Sequence, residues 1–210
     1  PRNDDSSPCR LRKVNSRHVL SACSARAEAY AEALGRMAAT AEADRELIAR
    51  WARGCRGRIV DAGCGPGHWT AYLHDLGLEI EGVDPVERFV KIARAQHPHV
   101  TYRQGSFAGL PAGSYGAVLA WYSVIHIPPQ DLAGTLTSLR DSLEPQGDLL
   151  VGFFAGDRVE EFPHAIAPAY YWPPRALASL LERSGFNVLD VEHRKVAGAR
   201  DHGSICCRAV

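Results

Sequence analysis

The sequence predicts an open α/β fold, in which a mostly parallel β-sheet is covered by helices. After residue 54, short apolar runs alternate with amphipathic segments, which is the pattern of parallel strands joined by crossover helices. The chain has 210 residues, of which 46 % are hydrophobic and 23 % are charged. A chain of this length and composition can bury a substantial core, so one main domain is expected.

The first 54 residues do not follow the alternating pattern. Residues 1–18 are polar and have no periodic apolar face, so they predict a flexible N-terminal tail. Residues 19–54 are rich in Ala, Glu, Arg and Leu, which predicts a helical cap. Within this cap we expect helices over about 22–34 and 41–53, with Thr40 as a candidate N-cap of the second. Residues 19–210 are thus expected to form a single domain.

The remaining elements follow in order along the chain. Apolar runs predict strands at 59–62, 78–83, 100–103, 115–121, 148–154, 186–192 and 204–210. Amphipathic segments predict helices at about 67–76, 86–96, 131–143 and 177–183. Residues 156–174 contain four prolines and are too long for a plain connection, so we expect a lid or insertion on the substrate side.

A glycine-rich turn follows the first strand, with the sequence Asp61-Ala-Gly63-Cys64-Gly65-Pro-Gly67. Glycine lets the backbone turn sharply and approach a ligand, and the helix that follows directs free N–H groups at that ligand. Dinucleotide sites use the spacing G-x-G-x-x-G, which is absent here. The carboxylate of Asp61 suits a cationic amine and would repel a pyrophosphate. The glycines alone are equally compatible with a tight turn that binds nothing.

Asp84 ends the second predicted strand, 23 residues after Asp61. An acid at this place can accept hydrogen bonds from both hydroxyls of a ribose. It can equally cap the helix that begins after Pro85, and the two roles are compatible.

Together with Gly105-Ser106-Phe107 after the third strand and Leu143-Glu-Pro-Gln-Gly147 before the fifth, these residues resemble a class I S-adenosylmethionine-dependent methyltransferase. The resemblance covers about residues 55–195. It implies a Rossmann-like three-layer α/β/α sandwich, whose seven-stranded sheet is mostly parallel with an antiparallel last strand. It also implies an enzyme with S-adenosyl-L-methionine as cofactor and S-adenosyl-L-homocysteine as product.

The resemblance also implies which residues bind the cofactor. Asp61 and the glycine loop would face its methionine part, Asp84 its ribose, and Ser106 with Phe107 its adenine. The complete set is Tyr30, Asp61, Gly63, Cys64, Gly65, Gly67, Trp69, Asp84, Pro85, Gly105, Ser106, Phe107, Ala120 and Trp121.

Candidate catalytic residues follow the fourth strand, at the edge where ligands bind in such sheets. His126 is the best candidate for a general base because an unperturbed imidazole titrates near pH ~6.5. Tyr122 is the second candidate. His126 could instead merely pack within its loop. In the same way, His164 and the run 170–172 could wall an aromatic pocket or close the core.

The predicted activity is transfer of a methyl group to an oxygen or nitrogen atom of a small molecule. The alternatives are an NAD-dependent oxidoreductase and a non-catalytic S-adenosylmethionine-binding protein. Balanced charge, with 24 basic and 24 acidic residues, argues against nucleic-acid partners. The chain lacks an apolar run long enough to span a membrane, so no membrane partner is expected.

Six scattered cysteines without a C-x-x-C pair predict a reduced, cytoplasmic protein. The oligomeric state is left open between a monomer and a homodimer. We expect no metal site; His97 and His99 flank Pro98 in a loop and do not have ligand spacing that predicts one.

Overall fold

The computed structural model describes residues 26–33 and 35–210. The predicted tail over 1–18 and the beginning of the helical cap lie outside the described residues. In the cap, helix α1 covers 26–33 and helix α2 covers Glu42–Gly54. Thr40 does not cap α2, since its hydroxyl donates to the Met37 carbonyl at 2.7 Å and Ala41 occupies the N-cap position.

The rest of the described chain contains the predicted strands and helices in the predicted order. The fifth strand, however, begins at Leu143, so the segment Leu143–Gly147, predicted as a turn before this strand, is part of it. The strands are β1 Ile59–Ala62, β2 Ile80–Asp84, β3 Thr101–Gln104, β4 Tyr115–Trp121, β5 Leu143–Phe154, β6 Glu160–Phe162, β7 Ala169–Tyr171, β8 Phe186–Arg194 and β9 His202–Ala209. The helices are α3 His68–Asp75, α4 Glu87–Gln96, α5 Pro129–Ser142 and α6 Pro174–Arg183.

Seven of these strands form one sheet in the order β3-β2-β1-β4-β5-β9-β8. The strand pairs from β3 to β5 are parallel, whereas β9 runs antiparallel to both of its neighbours. The predicted Rossmann-like sandwich with an antiparallel last strand is therefore confirmed.

The central strands are buried on both faces, which explains why they are apolar without alternation. Successive side chains of β1 point to opposite faces of the sheet and pack in two different cores. Ile59 packs with Ile48 of α2 and Leu73 of α3, whereas Val60 shares the other core with Leu136 and Leu139 of α5. The sheet thus lies between two helical layers.

The topology places the ends of three neighbouring strands at one edge of the sheet. The parallel register pairs Ala62 with Val83, so the residues that follow β1 and β2 emerge side by side. β4 lies on the other side of β1, and its continuation at Tyr122 emerges beside them. This edge carries the candidate site.

Residues 156–174 contain a small hairpin, formed by β6 and β7, which the sequence did not predict. Arg200, from the connection between β8 and β9, holds this hairpin. Its guanidinium lies 4.7 Å from the ring centre of Phe162 and donates to the hydroxyl of Tyr171 at 3.1 Å. Among the described residues, no helix is long and apolar enough to cross a bilayer.

Candidate functional site

The glycine loop between β1 and α3 forms one wall of the site. The N–H of Gly63 donates to the Val83 carbonyl at 2.7 Å, which ties the loop to β2. Gly63, Gly65 and Gly67 all have positive φ, at 82°, 53° and 85°, and other residues adopt this region only with strain. The hydroxyl of Tyr102 donates to the Gly67 carbonyl at 2.8 Å and fixes the end of the loop.

Asp84 joins the glycine loop to the start of α4. Its Oδ2 accepts the N–H of Gly65 at 2.8 Å, and its Oδ1 accepts the N–H of Val86 at 2.8 Å. Asp84 does not cap α4, since Val86 occupies the N-cap position; Asp84 instead holds the N–H of that N-cap residue. Burial raises the pKa of Asp84 to about 6, against the opposing effect of the two N–H bonds. Each carboxylate oxygen has further lone pairs, so a ligand hydroxyl can still donate to it.

Asp61 is a second buried carboxylate in the same wall. Its Oδ2 accepts a hydrogen bond from the Thr70 hydroxyl at 2.7 Å. Burial raises the pKa of Asp61 to about 7, and the nearby charge of Asp84 adds to this rise. Such a carboxylate becomes fully ionised at neutral pH when a cation lies beside it.

A cavity of about 620 Å³ opens along this edge of the sheet. Most of the predicted ligand-binding residues line it: Tyr30, Asp61, Gly63, Cys64, Gly65, Trp69, Asp84, Pro85, Ser106, Phe107 and Trp121. Gly67, Gly105 and Ala120 are not part of its lining. Gly67 and Gly105 instead shape the backbone behind the wall, and Ala120 is fully buried in the core.

The lining of the cavity contains two groups of contacting residues that differ in composition, and we call the part of the cavity around each group an end. We call the region around Asp61, Gly63, Gly65, Asp84, Ser106 and Phe107 the glycine end. We call the region around Tyr122, His126, Phe154, His164 and His202 the histidine end. Both predicted catalytic residues, Tyr122 and His126, lie at the histidine end.

His126 has a defined hydrogen-bonding partner at the histidine end. Its Nδ1 lies 2.8 Å from the carbonyl oxygen of Pro168, which can only accept, so Nδ1 carries the proton. Nε2 then keeps its lone pair. Burial lowers the pKa of His126, which favours the neutral, basic form. The ring of His164 packs 5.2 Å away, centre to centre.

Tyr122 faces His202 across the histidine end. Tyr122 has a φ of 53°, a left-handed conformation that is strained in a non-glycine residue and turns the chain sharply after β4. Its hydroxyl is in hydrogen-bond contact with Nδ1 of His202. Next to this pair, Arg194 donates to Asp44 at 2.5 Å and joins the sheet edge to the helical cap.

The charges of the described lining residues have one sign. The acids are Asp44, Asp61, Asp84 and Asp131, and the lining contains neither lysine nor arginine, although Arg194, outside the lining, pairs with Asp44. Burial lowers the pKa of the four lining histidines, His68, His126, His164 and His202, so they are neutral at pH 7. The cavity therefore favours a cationic ligand over an anionic one.

Residues 170–172 do not line the cavity. Trp172 is buried in the main core, and Tyr170 donates to Glu161 within the hairpin, so the core alternative is the one the structure supports. His164 and Ile166, between the two hairpin strands, do line it. Arg26 of α1 donates to the carbonyl of Ala165 at 3.1 Å, so the helical cap and this segment meet beside the cavity.

Sequence reasoning missed four residues that shape the site. Asp44, Thr70, Tyr102 and His202 lie in ordinary-looking helices and strands and belong to no recognisable motif. Thr70 offered the only local signal, because it stands in the first turn of α3, directly after the glycine loop. The other three reach the site through long-range packing.

Comparison with known proteins identifies related sequences for most of the chain. Residues 24–191 match the family described as "Methyltransferase domain". A malonyl-[acyl-carrier protein] O-methyltransferase of Erwinia billingiae is 25 % identical over 158 residues, which is 75 % of this chain and 62 % of that protein. A probable S-adenosylmethionine-dependent methyltransferase of Mycolicibacterium smegmatis is 31 % identical over 149 residues, covering 67 % of this chain and 56 % of that protein. This chain thus spans roughly three fifths of these relatives.

A solved structure has a similar fold over the whole chain. It is the Burkholderia thailandensis 1,6-didemethyltoxoflavin N1-methyltransferase with bound 1,6-didemethyltoxoflavin and S-adenosylhomocysteine. The TM-score is 0.72 at 20 % identity, and the match covers 100 % of this chain and 93 % of that one.

Proposed function

We propose that this chain, which belongs to the methyltransferase-domain family, transfers a methyl group from S-adenosylmethionine to an oxygen or nitrogen atom of a small molecule. The observation that carries this proposal is the acid-lined cavity at the ends of β1, β2 and β4. S-adenosylmethionine supplies a methyl group on a sulfonium cation and also carries an ammonium group. A cavity with four aspartates and no lining lysine or arginine, among the described residues, suits such a ligand.

The glycine end fits this cofactor. A Cβ placed on Gly65 would meet no described atom within 4 Å, so the loop presents bare backbone to open space. In this proposal Asp84 accepts the ribose hydroxyls and also holds the loop, while Asp61 faces the ammonium group. Ser106 and Phe107 border the adenine. The prediction of this cofactor agrees with the solved neighbours that contain S-adenosylmethionine or its product.

The same charges argue against the NAD-dependent alternative. A dinucleotide brings two phosphate charges to the loop after β1, and the discriminating charge there is Asp61, because an acid at the place of Asp84 also binds the ribose of NAD. The spacing Gly63-x-Gly65-x-Gly67 also lacks the dinucleotide fingerprint.

The histidine end would hold the methyl acceptor. Methyl transfer requires the accepting atom in line with the methyl group, and alignment alone can supply roughly 7–11 kcal/mol of the barrier reduction. Tyr122 and Phe154, with ring centres 4.8 Å apart, form an apolar wall for this alignment. The wall fits an acceptor with a flat or apolar body and a polar edge.

His126 is the proposed general base for an acceptor that arrives protonated. Its Nδ1–H is held by the Pro168 carbonyl, which leaves Nε2 free to take the proton from an O–H or N–H group. Tyr122 stays protonated at neutral pH because burial raises the pKa of its phenol. We therefore assign it, with His202, the role of orienting the polar edge of the acceptor.

The relatives span both kinds of accepting atom. One is named as an O-methyltransferase and the solved neighbour as an N1-methyltransferase. Balanced overall charge supports a small acceptor rather than a nucleic acid. We keep the cytoplasmic location and the monomeric or homodimeric state as parts of the proposal.

The test is an acceptor screen with release of S-adenosylhomocysteine as the readout. The protein is incubated with S-adenosylmethionine and panels of phenols, carboxylic acids and nitrogen heterocycles. We expect product with members of at least one panel. Binding of S-adenosylmethionine without turnover on any panel would favour the non-catalytic alternative, and binding of NAD instead would overturn the proposal.

A further inference from the structure

Outside the cavity, two imidazoles and a carboxylate meet on the protein surface. His74 and Asp75 are the last two residues of α3, and His99 lies in the connection from α4 to β3. Nε2 of His99 is 3.2 Å from Oδ1 of Asp75, and Nδ1 of His74 is 3.6 Å from the same oxygen. All three potential ligand atoms lie within 4.8 Å of one another.

We propose that His74, Asp75 and His99 form a binding site for a divalent transition-metal ion of the zinc type. Zn²⁺ binds imidazole nitrogen and carboxylate oxygen at about 2.0–2.2 Å in tetrahedral geometry. Ligand atoms around such an ion are therefore separated by roughly 3.4 Å. The two measured separations from Asp75, 3.2 and 3.6 Å, bracket this value.

Of these groups, His99 and Asp75 are hydrogen-bonded to each other, and a cation can take the place of the proton between them. Nδ1 of His74 has no hydrogen-bond partner among the described residues, although it is shielded from solvent. The side chains of Asp75 and His99 are more than half exposed, so an ion can reach them from solution.

The position of the cluster also favours positive charge. It sits at the C-terminal end of α3, where the helix dipole presents partial negative charge. The carboxylate of Asp75 adds a full negative charge. Water would complete the coordination, since the cluster provides three ligands.

This inference departs from the expectation drawn from the sequence. In the sequence, His97 and His99 predict no metal site. The residues that complete the cluster with His99, namely His74 and Asp75, lie more than twenty positions earlier in the chain. The fold supplies them, since α3 ends beside the loop that enters β3. A bound ion would link α3 to that loop and stabilise the folded state.

The first experiment is calorimetric titration of the untagged protein with ZnCl₂, and with CoCl₂ followed by visible absorption. We expect one high-affinity site per chain, and a Co²⁺ spectrum typical of tetrahedral coordination by nitrogen and oxygen. His99→Ala and Asp75→Asn should each weaken Zn²⁺ binding at least tenfold. Zn²⁺ should also raise the thermal unfolding temperature of the wild type, and this rise should be absent in His99→Ala.

The matched control is His193→Ala. His193 is also partly exposed and contacts an aspartate, since its Nε2 lies 3.0 Å from Oδ2 of Asp201, but no third candidate ligand lies beside that pair among the described residues. We expect His193→Ala to bind Zn²⁺ like the wild type. Equal binding by His99→Ala and the wild type, or no binding by the wild type, would overturn the proposal. S-adenosylmethionine titration of His99→Ala should match that of the wild type, which keeps this test separate from the proposed function.

Discussion

The glycine end and the histidine end of the cavity are built in different ways. At the glycine end, the ligand would meet backbone and two carboxylates, one within β1 and one at the end of β2, about 25 residues apart in sequence. At the histidine end, it would meet side chains from the β4 loop, the β6–β7 hairpin and the start of β9. The first is a local motif, whereas the second exists only after the chain has folded. In the proposed function, the glycine end binds the cofactor and the histidine end binds the acceptor.

The largest expected effect is a loss of cofactor affinity when Asp84, at the glycine end, is replaced. Replacing Asp84 by Ala removes the acceptor of the Gly65 and Val86 N–H groups as well as the proposed ribose contact. Hydrogen bonds to a charged group contribute about 1.5–3 kcal/mol each, so we expect S-adenosylmethionine to bind roughly a thousandfold more weakly. Calorimetric titration measures this change.

Asp141→Ala provides the control for Asp84→Ala. Asp141 is exposed and pairs with the neighbouring Arg140, far from the glycine loop in sequence. Its loss should leave affinity unchanged. Equal affinity in Asp84→Ala and the wild type would show that Asp84 is only structural and would remove the distinction between the two ends.

His126→Ala should lower turnover and leave cofactor affinity nearly unchanged, in contrast to Asp84→Ala. Loss of the proposed base should lower turnover by about a hundredfold or more for a protonated acceptor. The affinity for S-adenosylmethionine should stay within about threefold, because the contacts of His126 are with Pro168 and His164 rather than with the glycine loop. The measurement combines steady-state kinetics on an acceptor from the screen with a cofactor titration, and His193→Ala serves as the unaffected control.

Two other outcomes would change the role of His126. Unchanged turnover would dismiss it as the base. Equal losses of turnover and cofactor affinity would show that the histidine end is not functionally separate.

The pH dependence of cofactor affinity should come from the glycine end. Burial raises the pKa of Asp61 to about 7 and of Asp84 to about 6 in the unliganded protein. A cation binds best when both are ionised. Affinity should therefore be highest above about pH 7 and fall by up to about tenfold per pH unit for each proton that must be released.

The stability of the unliganded protein should depend on pH in the opposite direction. Both carboxylates bind protons more tightly in the folded state than in the unfolded state, so their contribution is lost as pH rises through about 6 to 7. Titrations and thermal unfolding between about pH 5 and 8 measure both curves. Cofactor affinity independent of pH would argue that Asp61 and Asp84 do not contact the cation.

The smallest expected effect is a difference in unfolding temperature between alanine variants of two glycines in the same loop. A Cβ on Gly63 would lie 2.3 Å from Cβ of Ser123, whereas a Cβ on Gly65 would meet nothing within 4 Å. Both have positive φ, so alanine costs about 1–2 kcal/mol of backbone strain at either position. Gly63→Ala should therefore lower the unfolding temperature more than Gly65→Ala. The reverse order would contradict the described packing of the loop against Ser123.

Most of the sheet could be predicted from the sequence because buried parallel strands leave a strong local pattern. The β1–Gly63–Gly67 unit and Asp84 are recognisable because each depends on neighbours in sequence. The β6–β7 hairpin was not predicted, since its strands have three residues each and Arg200 holds them from outside.

The histidine end could be predicted only in part for the same physical reason. Tyr122 and His126 follow β4 and were found by their position at the sheet edge. His202 and Asp44 reach the cavity through the antiparallel pairing of β9 and the packing of α2, and neither leaves a pattern in the sequence. The three-residue cluster at His74, Asp75 and His99 was missed because its members come from two segments.

Titration of the wild-type protein with S-adenosylmethionine and, separately, with NAD tests the central claim most directly. The acid-lined glycine end predicts binding of S-adenosylmethionine in the micromolar range with a stoichiometry of one, and no saturable binding of NAD. Tight binding of NAD with no response to S-adenosylmethionine would contradict the assignment of this cavity.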